Sequence, residues 1–472
     1  MNKLVEAIKQ NSVLTYTENG DVTYSSSLNA LVDLFFHGPA YRGRSEDEMI
    51  KLFEKAYNQD KYLALRTLLW LRDVRGGAGE RKFFRVICEE LSNTDKEAAS
   101  IVMSKVADIG RYDDLLSFRG MIDAALDKFA DALCEPETST LAAKWAPKES
   151  SKPNKEIARY FAEKLGLTPK QYRKMISSLN NVIETKMCDK DWEKIEYGKI
   201  PSKAASKYTK AFSKNDSKRY NDYIAKLEAG DEKINAGAIF PYDVIKTSND
   251  KIANEMWKAL PNWVGEDTSF IPMIDVSASM DWCTVSPGTD AMQVAISLGI
   301  YLAQRNNTEF KNCYLTFSST PELNILSDNK NIKELYKKVK GDNWGGSTNL
   351  DAAFDQILNF AVRGNVPAED MPKNLLVLSD MEFNSGQGYG NRFGSTAYER
   401  AKMKFANAGY KLPNIVWWNI ASRNNSTPVL SKENGTALVG GCSPAIVKNI
   451  CNGRFSPEDI LMKTIMNKKY DL

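Results

Sequence analysis

A single histidine, His37, stands in 472 residues. That scarcity excludes metal sites built on two histidines. It also leaves any Ser-His triad dependent on His37, with no G-x-S-x-G elbow to accompany it. A lone histidine of this kind is expected to be structural. The seven cysteines, at 88, 134, 188, 283, 313, 442 and 451, never form C-x-x-C. Their odd number and wide spacing argue against a zinc site or a disulfide framework. Free thiols fit a reducing compartment, so a cytoplasmic location is expected. No charge-free apolar run is long enough to span a bilayer, and no membrane partner is expected. The opening residues Met1 to Lys9 place Glu6 where an export signal needs an apolar core, so no such signal is expected. A phosphate-binding G-x-x-x-x-G-K-[ST] loop is absent as well.

What is present divides the chain in two. Strand patterns are nearly missing from the first 230 residues, where short helical patterns follow one another. Residues 1–24 look loosely structured and end in a turn signal at Gly20-Asp21. Leu28, Leu31, Val32 and Phe35 predict a helix over 25–36 with Ser25–Ser27 as caps. Further helices are predicted over 46–57, 62–72, 81–91, 98–109, 114–118 and 121–133. Another runs from Pro153 to about Leu165, capped by Ser150 or Ser151, and one starts at Thr168-Pro169. Short helices joined by short loops predict an α-solenoid or helix-pair array, without a clean sequence period. A boundary is expected within 237–267. From Phe270 strands and helices alternate, with strands over 270–274, 313–317, 374–378, 414–420 and 437–439. Helices are expected over 291–304, 332–339, 350–362, 397–408 and 444–451, and a last one, capped by Ser456, runs to about Met466. Such alternation predicts a mainly parallel, doubly wound sheet covered on both faces. The expected fold class is therefore α plus α/β, with an all-α helical-repeat domain over 1–255 and a sheet domain over 256–472.

Charge is unevenly spread. The whole chain carries a net +3, yet Lys144 to Arg219 holds nineteen Lys/Arg against nine Asp/Glu. Lys203, Lys207, Lys210, Lys214 and Lys218 would form one stripe if their segment is a single helix. With Lys144, Lys148, Lys155 and Arg159 they are the candidate phosphate contacts of a polyanion-binding face. The competing reading is a solvated helix face. Arg75-Gly-Gly-Ala-Gly-Glu-Arg81 reads as an interhelical turn, with an RNA contact by its arginines as a lesser option.

The sharpest motif is Asp275-Val-Ser277-Ala-Ser279, which follows the apolar run Ile271–Ile274. A buried parallel strand ending there would aim one carboxylate and two hydroxyls at the carboxyl edge of the sheet, where such sheets bind ligands. Thr348 follows in the glycine-rich Trp344-Gly-Gly-Ser-Thr348 stretch. Asp380 ends a second apolar run, Leu375–Leu378. Two carboxylates and three hydroxyls form a hard oxygen set suited to Mg²⁺ or another divalent cation. The bland alternative is a pair of strand-end carboxylates capping helices, beside ordinary turn serines. Gly386–Gly394, after Asp380, lacks a dinucleotide fingerprint and reads as a rim loop over this site.

In this order and context Asp275, Ser277, Ser279, Thr348 and Asp380 resemble the metal-ion-dependent adhesion site of von Willebrand factor A domains. Gly20–Asp33, Leu69–Arg81 and Ile109–Leu115 resemble the TROVE module of the Ro ribonucleoprotein family. Leu141–Pro147, Val182–Met187, Ile234–Ala238 and Ile415–Asn419 are similar to uncharacterised phage, bacterial, fungal and plant proteins of the same two-part layout. The resemblance implies HEAT-like repeats able to close into a ring on the A-like domain. It also implies a ribonucleoprotein role, with single-stranded RNA ends held by the ring and small noncoding RNAs on its outer basic face. Only the five metal-site residues carry over from it; the basic residues rest on charge alone. The expected function is a noncatalytic, monomeric RNA-binding scaffold with a Mg²⁺-dependent adhesion site. The alternative is a metal-dependent protein-binding module whose partner offers Asp or Glu. A Mg²⁺ hydrolase is disfavoured, because two-metal chemistry needs more carboxylates and no nucleophile–base pair stands out.

Overall fold

The computed structural model describes residues 3–149, 154–266, 268–342, 345–385, 395–450, 453 and 455–472. The predicted rim loop 386–394, the Ser150/Ser151 caps and Pro153, Trp344 and Cys451 lie outside them. The chain opens with an exposed helix, Lys3–Ser12, and an antiparallel hairpin of β1 (Leu14–Tyr16) and β2 (Val22–Tyr24), where a loose segment was expected. These strands are too short to show alternation, and β2 is buried because it lies against the far half of the chain.

Helices then dominate up to Asp250–Ala259. The first of the array begins at Ala30 rather than Ser25, because Asn29, not the serines, caps it by accepting from the Leu31 and Val32 amides. Ser26 Oγ and the Ser27 amide instead donate to Asp33, and Leu28 takes a positive φ of 63°. Glu46–Gln59 carries a complete capping box from Ser45 and Glu48, and Pro169–Leu179 one from Thr168 and Gln171. The predicted helix over 114–118 is a 3₁₀ turn, Tyr112–Ser117, and that over 444–451 is likewise 3₁₀, Pro444–Asn449. The lysine stripe does not exist as one face. Its segment is broken into Ser202–Lys207, Thr209–Asn215 and Ser217–Ala229, with the breaks at Tyr208 and Asp216.

The second half is a six-stranded sheet. Its strands are β3 (Phe270–Asp275), β6 (Cys313–Phe317), β7 (Glu322–Ile325), β8 (Asn374–Ser379), β9 (Asn414–Asn419) and β10 (Thr436–Gly440). A small hairpin, β4 (Thr284–Ser286) with β5 (Thr289–Asp290), stands apart from it. The order β10-β9-β8-β3-β6-β7 is parallel except at β7, whose pairing with β6 is antiparallel. Chain connections leave β3 toward β6 on one side and return to β8 on the other, so the switch point lies between β3 and β8. Strands β3 and β8 are buried along their whole length, which is why they read as unbroken apolar runs. Gly299, on the helix Ala291–Arg305, lets that helix touch the sheet, since a Cβ there would run into Ile274.

Both ends of the helical half dock on the sheet half. At one end Ala30–His37 packs on β10 and on the last helix, Pro457–Ile465, which also meets Lys61–Arg72. At the other, Pro241–Ile245 packs on Ala291–Arg305 and Asp250–Ala259 on Ile332–Gly341. The stretch 237–266 is thus a folded joint, and the 255/256 boundary falls inside the helix Asp250–Ala259. The chain therefore closes on itself around a central space. Closure depends on small residues at the seam: a Cβ on Gly440 would collide with the Phe36 carbonyl. Gly440→Ala is expected to destabilise the protein by about 1–3 kcal/mol, the usual cost of overpacking a filled site. Thermal unfolding of the variant beside wild type measures this.

Candidate metal centre and candidate nucleic-acid interface

The switch point brings the motif residues together. Asp275 ends β3 and Asp380 directly follows β8, two strands that are hydrogen-bonded neighbours. Asp275 is fully buried, and Asp380, Ser277 and Thr348 are nearly so. Asp275 Oδ1 accepts the Ser277 amide at 2.9 Å, and Oδ2 accepts the Ser379 hydroxyl at 2.6 Å. The Ser277 and Ser279 hydroxyls lie 3.1 Å apart. Ser277 forms a bridge with Gly345, and the Ala278 amide donates to the Gly345 carbonyl at 3.0 Å. The same glycine-rich loop carries Thr348, whose amide donates to Asn384 Oδ1 and whose carbonyl accepts the Asn384 amide at 3.0 Å. Thr348 is thereby stitched between the loop after Asp275 and the loop after Asp380.

This pocket is only partly neutralised, by Arg423, whose Nη1 lies 3.8 Å from Asp380 Oδ2. Burial, and then the charge of Asp380, pushes Asp275 up to about 7. Burial likewise raises Asp380, against the pull of the Glu382 amide and the Ser279 hydroxyl. Asp380 Oδ1 accepts that amide at 3.3 Å, while Oδ2 is buried without a hydrogen bond. Met381, between them, is held at φ 68°, a strained conformation for a side chain of this kind. Two facing buried carboxylates with an orphan oxygen fit a hard divalent cation, which would neutralise both. Asp275, Ser277, Ser279, Thr348 and Asp380 would hold it, directly or through water. No group of three or more His, Cys, Asp or Glu side chains suited to a metal occurs among the described residues, so the candidate depends on hydroxyl donors. His37 takes no part: it is buried at the seam beside Ser422, its Nδ1 3.2 Å from the hydroxyl, and burial drives its pKa down to about 3.

The second candidate is the central space, a cavity of about 1820 Å³. Its wall carries eleven Lys/Arg against six Asp/Glu, and β4 with Pro287 closes one side. Four of the nine basic residues expected from the sequence, Lys144, Lys148, Lys203 and Lys207, line it. Lys155, Arg159, Lys210, Lys214 and Lys218 are exposed but do not line it. Sequence reasoning missed most of the wall: Arg42, Arg72, Lys82, Arg85, Arg111 and Arg119, with Arg81 weighed only as a lesser option. Their excess charge is masked locally by Glu80, Glu89, Asp113 and Asp114, so no window count reveals it.

Those acids set the arginines in place. Fully buried Asp114 accepts Arg72 Nε at 2.8 Å and Arg85 Nε at 2.7 Å. Asp113, despite its burial, is held low by hydrogen bonds from Arg111 and Arg85. Arg111 in turn stacks on Trp145, 3.5 Å from the ring centroid, and Lys207 lies 5.0 Å from the Tyr208 ring. Arg81, Lys82, Lys148 and Lys207 have no acidic partner among the described residues. Burial, and then repulsion from Arg111 and Arg85, lowers the Arg81 pKa. A bound polyanion would relieve that crowding.

Comparison with known proteins gives two family matches. Domain of unknown function (DUF2828) matches residues 17–91 and 138–266, and Domain of unknown function (DUF7788) matches residues 269–469. Uncharacterized protein L728 of Acanthamoeba polyphaga mimivirus is 30% identical over 512 residues, covering 96% of this chain and 87% of that protein. Among solved structures, the Ro (RSR) protein of Deinococcus radiodurans aligns over 87% of this chain and 92% of its own, at 13% identity and a TM-score of 0.46.

Divalent-ion binding predicts a thermal signature. Mg²⁺ at a hundredfold excess over its Kd should stabilise the wild type by about 2.7 kcal/mol, a rise of several degrees in Tm. Asp380→Asn removes one of the facing carboxylates. In EDTA it should melt at or above wild type, and it should not respond to Mg²⁺. Thermal melts of both proteins with and without Mg²⁺ measure this.

Proposed function

The chain belongs to the family of uncharacterized protein L728 of Acanthamoeba polyphaga mimivirus, and from that premise we propose a noncatalytic RNA-binding scaffold. Single-stranded RNA enters the basic cavity, and a Mg²⁺-dependent adhesion site stands on the sheet half. The observation that carries the RNA reading is the wall: eleven cations around one open central space, with four of them lacking an acidic partner among the described residues. A phosphodiester chain supplies the missing negative charge without sequence preference. Trp145, Tyr208 and Phe240 offer faces on which bases can stack, worth about 1–3 kcal/mol per base. A single strand is favoured over a duplex because its flexible backbone can follow a closed wall. The exposed Lys155, Arg159, Lys210, Lys214 and Lys218 form a secondary, outer contact for a structured part of the same RNA.

The test is fluorescence anisotropy of a labelled single-stranded RNA across a salt series. Reversing Arg81, Lys148 and Lys207 together to Glu should weaken binding roughly tenfold or more and flatten its salt dependence. Reversing Lys210, Lys214 and Lys218 should cost much less. Undiminished affinity in the cavity variant contradicts the reading.

One observation favours a second reading, metal-dependent capture of a protein. Trp282, 84% exposed, ends the short helix Ala278–Trp282 that also carries Ser279. Exposed tryptophans beside a polar centre are common anchors of protein interfaces. A partner carboxylate on the cation with an apolar neighbour on Trp282 would use both. Trp282→Ala should then weaken an EDTA-sensitive complex while leaving RNA affinity unchanged, as a pull-down run beside the anisotropy assay would show.

A further inference from the structure

Resting on the metal reading of the Asp275–Asp380 site, we propose that Glu18 is an internal ligand of that centre. The turn between β1 and β2 delivers its carboxylate to the position an external carboxylate would otherwise take.

The turn is fixed on the loop that leaves Asp380. Thr17 Oγ1 donates to the Phe383 carbonyl at 2.6 Å, and the Glu18 amide donates to Glu382 Oε2 at 2.7 Å. Asn19 Nδ2 donates to the Glu382 carbonyl at 2.6 Å, and Gly20 bridges to Asn384, the residue that also holds Thr348. The hairpin behind it is tied down independently. Tyr24 and Thr427 exchange backbone hydrogen bonds, and buried Asp21 meets Arg400 at 2.8 Å.

Within this frame the Glu18 side chain is half-exposed and points at a cation. Arg423 Nη2 lies 2.5 Å from its carboxylate, while Nη1 of the same guanidinium lies 3.8 Å from the orphan Asp380 Oδ2. One positive group is thus shared by Glu18 and Asp380, yet it is too distant to hydrogen-bond to Asp380. Cys283 feels the same cluster: burial and then Asp380 push its thiol up to about 11, with Glu18 and Glu382 adding to the rise. A compact divalent ion binds oxygens at about 2.1 Å and can draw Glu18 toward Asp380, where a guanidinium cannot.

The tether makes the arrangement consequential. A carboxylate held on a docked hairpin has an effective concentration in the millimolar range or above. An external carboxylate reaches the ion only by displacing Glu18, so access to the site is controlled by the N-terminal hairpin.

The experiment uses the full chain with Mn²⁺ as the probe. Calorimetry gives its affinity, and water-proton relaxation reports the exchangeable waters on the ion, for wild type, Glu18→Gln and Asp380→Asn. The Gln variant keeps the size of an exposed side chain, so its fold is retained. Glu18→Gln should weaken Mn²⁺ binding roughly tenfold or more and add an exchangeable water. Its relaxation signal should also respond to millimolar acetate that leaves the wild type unchanged. Unchanged affinity and water count in Glu18→Gln, with binding abolished in Asp380→Asn, would overturn the role of Glu18 and leave the metal site standing. Absence of Mn²⁺ binding in the wild type would overturn both.

Discussion

Backbone meets backbone where the Phe36 carbonyl faces Gly440, and that approach sets the geometry of the whole chain. It brings the first helix of the array onto the edge strand of the sheet, while Pro241–Ile245 and Asp250–Ala259 dock the last helices elsewhere on the same sheet half. A helical array held at both ends cannot open without breaking a buried seam. The seam is apolar at Phe35, Phe36 and Tyr41 and closed by polar pairs at His37–Ser422 and Arg66–Asp471. The central cavity and the turn over Asp380 both exist because this closure holds.

Two sites of opposite sign result. Around the cavity, acids are spent on orienting arginines, and the surplus is positive. At the switch point, carboxylates are buried together, and the surplus is negative. They are close in sequence: Ser277 and Ser279 belong to the candidate metal site, and Thr284 to Pro287 belong to the cavity wall. In the sequence, Trp282 falls between them. The rigid strand β3 fixes one end of this segment, and the packing of β4 on the 3₁₀ turn Gly38–Gly43 fixes the other.

How much of this could be read from the sequence follows from the range of each interaction. The convergence of Asp275, Ser277, Thr348 and Asp380 was legible because the motif is local and each piece sits at a strand end or glycine-rich loop, as sheet topology requires. The sheet strands were legible as buried runs, but the edge strand β7 was not, since its residues are only partly buried and too few to alternate. The cap at Asn29 was missed because three serines compete with it upstream, and Asp33 engages two of them. The lysine stripe failed because its 3- and 4-residue spacing presumes one helix, whereas Tyr208 and Asp216 break it. Glu18 and the cavity arginines were illegible because their partners are set by closure. Glu382 lies 364 residues from Glu18.

The central claim is that RNA lies inside the closed wall rather than on the outer helices. It is tested most directly by ultraviolet crosslinking of a bound single-stranded RNA to the full chain, followed by peptide mapping. The account predicts crosslinks at Trp145, Tyr208 and Phe240 that vanish as salt is raised. Crosslinks confined to the outer helices, or none at low salt, would contradict it.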